Sequence, residues 1–147
     1  MTPTLTPHTI ARIEDSFRAQ GLMRHLGVEM AAIRPAEVTL RLPFHPDLTQ
    51  QMGYFHAGAT TALADSAGGY AALTLFPEGC DVLTTEFKLN LLNPAEGDCL
   101  EATGRVVKAG RTLTVCQVDV HAVSGVARAH VATGLQTLIC VQGRAPT

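Results

Sequence analysis

The 147-residue sequence predicts an α+β fold in which a curved antiparallel sheet wraps one long central helix. Three observations carry this. Residues 57–76 form a helix-length stretch; of the sixteen from 57 to 72, eleven are Ala, Gly or Ser and one is charged. A helix that is apolar all round has no face to offer water and must be buried on most sides. About six strand-like segments surround it, four of them after it. Strands in succession, without alternating helical crossovers, argue for an antiparallel sheet. The three glycines at 58, 68 and 69 each cost about 1 kcal/mol of helix propensity relative to Ala. Close approach of a neighbouring backbone therefore matters here more than intrinsic helicity.

Composition narrows the function classes. The length suits one domain over 1–147, with residues 1–6 as a loose tail and a helix over 7–20. Net charge is −2, from 11 Lys and Arg against 13 Asp and Glu, which leaves no broad basic field for nucleic acid. No apolar run reaches membrane-spanning length, and the first ten residues lack the regions of a signal peptide, so a cytoplasmic protein with no membrane partner is expected. The four cysteines form no C-x-x-C pair and the six histidines no H-x-x-x-H or H-E-x-x-H spacing. Reduced thiols are expected, and neither a metal nor another cofactor.

In chain order, Thr6-Pro7 reads as an N-cap and first-turn proline, and Ile10, Ile13 and Phe17 give a short amphipathic helix that Gly21 can stop. Residues 27–33 and 37–42 read as two strands around Arg34-Pro35-Ala36; in the second, Val38, Leu40 and Leu42 alternate with polar residues. Pro43 to Gly53 is a loop into the long helix. From Leu83 to Leu91 the odd positions hold Leu, Thr, Phe, Leu and Leu, which reads as a one-sided strand with Thr84, Glu86, Lys88 and Asn90 facing the other way. Residues 99–107 and 112–123 follow, joined by Lys108-Ala109-Gly110-Arg111. Ser124-Gly125 suits a two-residue hairpin turn, which sets His121 opposite Arg128 and Asp119 opposite His130.

Asp65 is the anomaly. A carboxylate two turns inside a buried helix is expensive unless it is paired or hydrogen-bonded. It serves either as a satisfied structural group or as chemistry.

At Gln50-Gln51-Met52-Gly53-Tyr54-Phe55-His56-Ala57-Gly58, followed by Leu63-Ala64-Asp65-Ser66-Ala67, the chain resembles the hotdog-fold acyl-CoA thioesterases of the PaaI-like type. That family carries a G-x-x-H-G-G turn and then a helix with L-A-D-x-A. The resemblance covers roughly residues 15–142, and the Gln-Gln variant of the turn is most similar to the subgroup acting on medium- and long-chain acyl-CoA. It implies hydrolysis of an acyl-CoA thioester with Asp65 as general base or nucleophile. Ala57 stands where the family has the first Gly of H-G-G, and its backbone N–H would polarise the thioester carbonyl. Gly58 follows in the same turn. Gln50 aligns with a residue that positions substrate or water, with Gln51 beside it, and Thr84 with a hydroxyl near the water. His56 would orient the turn. Lys108, Gly110 and Arg111 suit the CoA phosphates as a basic, glycine-containing turn, or stand simply as a solvated hairpin.

Asp65 follows Ala57 by eight residues, about 12 Å along one helix. Carboxylate and oxyanion donor must both approach one carbonyl, so the site is expected to join two subunits of a homodimer, as the resemblance also implies; pairing of dimers into a homotetramer is a separate expectation that this geometry does not fix. A hydratase or dehydratase of the same fold, and an acyl-CoA-binding module without turnover, are the alternatives.

Overall fold

The computed structural model describes residues 4–144. Two helices lead the chain. α1 (Pro7–Ala19) is capped by Thr6, whose hydroxyl accepts the Thr9 N–H at 3.1 Å. Gly21 does not end the helical region. The chain bends at Gln20, and α2 (Gly21–Leu26) continues to Gly27, which is left-handed at φ 79°. The first strand accordingly starts later than its sequence suggests: β1 is Glu29–Arg34 and β2 is Glu37–Pro43. Val38, Leu40 and Leu42 of β2 are fully buried.

The long helix, α3 (Ala57–Leu73), is followed by β3 (Cys80–Leu91), β4 (Cys99–Ala109), β5 (Leu113–Ser124) and β6 (Ala127–Gln142). The six strands form one antiparallel sheet in the order β1-β2-β4-β5-β6-β3, with β1 and β3 at the edges. Twelve of the seventeen α3 residues are buried against the inner face of that sheet. The small side chains set the separation. A Cβ on Gly104 of β4 would lie 2.5 Å from the Ala67 carbonyl oxygen and 2.7 Å from the Gly68 Cα. Helix and strand backbones therefore touch where side chains would normally intervene, which is the use of the glycines that propensity alone disfavours. At the far end of α3 the Arg12 guanidinium donates to Leu73 O, the last residue of the helix, and to Phe76 O and Pro77 O just beyond it. A cation suits the negative end of a helix.

Two bulges decide which side chains face α3. In β3 the pairing with β6 slips between Thr84 and Glu86. Thr84 lies opposite Leu138, and Phe87 opposite Gln136, so an even and an odd position share the inner face. The unbroken alternation expected over Leu83–Leu91 therefore does not hold, and Leu83 points outward and is 58% exposed. In β6 the slip falls between His130 and Ala132. Val131 and Ala132 are both buried, and beyond them the inward residues are Gly134, Gln136 and Leu138. An inserted residue of this kind re-aims every side chain after it.

The β5–β6 hairpin also corrects its expected register. The turn is Gly125-Val126, with Gly125 at φ 56°, and the pairs are Val123 with Arg128 and His121 with His130. Glycine in the first central position is the II′ arrangement. Because the shift is two residues, the faces are unchanged. Asp119 still reaches His130, at 2.9 Å, and the His121 and His130 rings stack with centroids 4.7 Å apart.

Candidate active site

The entry to α3 is built by the loop before it. Gly53 at φ 87° turns the chain, the Gln50 N–H bonds Tyr54 O at 2.9 Å, and a bridge joins Thr49 to Phe55. His56 is the N-cap, and its Nδ1 accepts the Gly58 N–H at 2.7 Å. The Ala59 and Thr60 N–H groups turn back to His56 O. Of the first amides of the helix, only that of Ala57 has no acceptor among the described residues. An unpaired N–H at the positive end of a helix is a ready anion donor. Ala57 opens onto a cleft of about 430 Å³ with Gln50, Tyr54, Leu91, Leu92 and Asn93 in its walls. Gln50, in the same wall, folds its Oε1 back to accept the Met52 N–H. Gln51 is exposed on the same turn, outside that lining.

Asp65 sits two turns further along, half-buried. Its Oδ1 accepts two hydrogen bonds, from Thr84 Oγ1 at 2.7 Å and Gln136 Nε2 at 2.6 Å. Its Oδ2 has no partner among the described residues. A half-buried carboxylate is tolerable when one oxygen is satisfied in this way, and Asp65 lines a pocket on either side. Toward the helix entry lies a narrow apolar slot walled by Thr61, Ala64, Phe87, Leu89 and Val118. Toward the helix exit lies a cleft of about 240 Å³ shared with Gln20, Ser66, Tyr70 and Leu83. The Tyr70 hydroxyl there accepts from Gln20 Nε2 at 2.9 Å, and burial raises its pKa, which keeps it a phenol.

The structure thus brings Thr84 to Asp65, and His56, Gln50 and Gly58 to Ala57, and keeps the two groups in separate clefts of one chain. Lys108 lies at the end of β4 and Arg111 in the turn beyond, with Gly110 N–H closing that turn on Leu113 O at 2.9 Å. Both basic side chains are exposed, without an ion-pair partner among the described residues. Gln136 is the residue that sequence reasoning missed. Its signal is weak: one large polar residue among Ala132, Gly134 and Leu138, in a phase visible only once the Val131 bulge is known. Among the described residues, no group of three or more His, Cys, Asp or Glu is placed to hold a metal ion, and no helix is long and apolar enough to cross a membrane.

A long helix held against a curved six-stranded antiparallel sheet is the hotdog arrangement, an α+β fold. The chain belongs to the thioesterase superfamily, whose family model matches residues 52–129, from the helix-entry loop through β5 into β6. A solved thioesterase family protein from Silicibacter pomeroyi is 41% identical, covers 92% of this chain and 99% of its own, and superposes with a TM-score of 0.89. Acyl-coenzyme A thioesterase 13 of Homo sapiens is 26% identical over 109 residues, 73% of this chain and 77% of that protein. The PaaI protein of E. coli, from the phenylacetic acid degradation operon, shares the fold at a TM-score of 0.81 and 17% identity, over 95% of this chain and 98% of its own.

Proposed function

We propose that this thioesterase hydrolyses acyl-CoA to free acid and CoA. In this reading Asp65 Oδ2 either activates water or attacks the thioester carbonyl, and the Ala57 N–H receives the developing oxyanion. One such donor is typically worth ~3–4 kcal/mol of barrier. The observation that carries the reading is the pairing of two unsatisfied groups in a hydrogen-bonded framework: the Ala57 N–H at the helix entry and Asp65 Oδ2 further along. They line different clefts and are separated by about 12 Å of helical rise. One carbonyl cannot meet both in one chain, so the site joins Ala57 of one subunit to Asp65 of another.

The sheet edge supports that arrangement. β3 is a twelve-residue edge strand, and Phe87 and Leu91 on its inner side are 49% and 57% exposed. A long apolar edge is unusual unless something covers it. A second copy docked there lies beside the half-exposed flank of α3 that holds Asp65. Pairing of such dimers into a tetramer and residence in the cytoplasm complete the reading. Lys108 and Arg111 take the CoA phosphates, with Gly110 giving the turn its shape. Gln50, with Gln51 next to it, positions substrate from the cleft wall, and His56 holds the entry turn.

The test is thiol release from acyl-CoAs of two to eighteen carbons and from phenylacetyl-CoA, with wild type and Asp65→Asn side by side. Wild type should hydrolyse part of the panel, and Asp65→Asn should lose on the order of a hundredfold in kcat. Near-normal turnover by folded Asp65→Asn contradicts the assignment.

A further inference from the structure

Gln136 is 2% exposed and lies wholly between β6 and α3. Its carboxamide touches three atoms of the candidate site. Nε2 donates to Asp65 Oδ1 at 2.6 Å, and lies 3.0 Å from the Asp65 backbone O and 3.1 Å from Thr84 Oγ1. The opposite atom, Oε1, is buried with no hydrogen-bond partner. It rests on Gly68, where any Cβ would collide with it. A buried acceptor left unpaired is a cost. A swap of the amide's two ends does not relieve it, because Oε1 would then face two oxygens of Asp65. The side chain is thus held in an orientation that leaves one end unsatisfied so that the other end grips Asp65.

We propose that Gln136 is a positioning residue for Asp65: it anchors the carboxylate to its own backbone and to Thr84 through Oδ1, so that Oδ2 is the oxygen presented to water or thioester. The proposal rests on the reading of Asp65 as base or nucleophile. It also accounts for Gly68, the only residue type that lets the amide cross the helix at that point, and for the Val131 bulge that turns Gln136 inward. Removal of Gln136 therefore acts on turnover, with little effect on substrate binding.

The experiment compares Gln136→Met, which is similar in length and has no donor, with wild type. Measured are kcat and KM, with thermal unfolding to check the fold. The expected result is a kcat about tenfold to a hundredfold lower, with a KM within about twofold of wild type. Retained kcat overturns the proposal. So does a KM that rises along with the loss of kcat, which is the signature of a merely structural role. If Gln136→Met does not fold, Gly68→Ala serves instead, since its methyl displaces the amide while favouring the helix. The same kinetic pattern is expected, and wild-type turnover by folded Gly68→Ala overturns the proposal. Asp65→Asn separates the two claims: an inactive Asp65→Asn beside fully active Gln136 variants refutes only the positioning role.

Discussion

Thr84 donates a 2.7 Å hydrogen bond to Asp65 Oδ1 across the gap between the edge strand and the central helix. The bond exists because the β3 bulge turns Thr84 inward. If the hydroxyl fixes the carboxylate, Thr84→Val, which keeps shape and loses the donor, should lower kcat about tenfold, while Thr84→Ser should stay within about twofold of wild type. Equal turnover in both variants would remove Thr84 from the site.

Lys108 and Arg111 stand far along the chain from the reacting groups, on an exposed turn. Contacts to phosphates remote from the thioester are much the same in ground and transition states. The double alanine variant is expected to raise KM about tenfold at low salt with kcat nearly unchanged, and the effect should shrink as salt screens the charges. Wild-type KM at low salt would place the CoA site elsewhere.

Gly104 lets β4 touch α3. Gly104→Ala puts a methyl 2.5 Å from the Ala67 carbonyl oxygen, a backbone atom that cannot swing aside. Stability should fall by about 1–3 kcal/mol, read as a lower midpoint in urea at unchanged slope. An unchanged midpoint would mean that the helix is free to lift from the sheet.

His121 is held below the ordinary histidine range, first by burial and then by the neighbouring His130 and Arg128, with Asp119 and Glu101 opposing them. The folded state therefore takes its proton at lower pH than the unfolded chain does. As pH falls through the histidine range, the unfolded state binds more protons and stability is lost. His121→Gln removes that contribution, so its melting temperature should drop less than that of wild type between pH 7 and pH 5. Parallel pH profiles for the two proteins would rule out His121 as a source of acid sensitivity.

The fold was legible because its two strongest signals are local. Small residues along 57–72 forced burial of the helix, and the alternation in 37–42 marked a half-buried strand. Asp65 stood out for the same reason, as the one charge in that helix. What alternation could not show was the phase set by a bulge. It put Thr84 on the polar side of its strand, so that only the family resemblance brought Thr84 to the site, and Gln136 carried no mark at all, because an inserted residue at 85 or 131 inverts the inward phase without leaving a pattern of its own. The hairpin at 124–127 slipped because Gly125 is as suitable for the first turn position as for the second.

In the proposed site, Asp65 of one subunit meets the Ala57 N–H of another, and complementation tests that sharing. Ala57→Pro deletes only the donor: Ala57 is the first residue of α3, where proline is well tolerated, and His56 before it is already extended at φ −64° and ψ 139°. Asp65→Asn removes the carboxylate. Each variant alone should be nearly inactive. In a mixed dimer one composite site carries both defects and the other neither, so co-refolding equal amounts should restore roughly a quarter of wild-type sites under random pairing. No recovery from folded, properly mixed dimers would mean that both groups act from a single chain, contradicting the shared site.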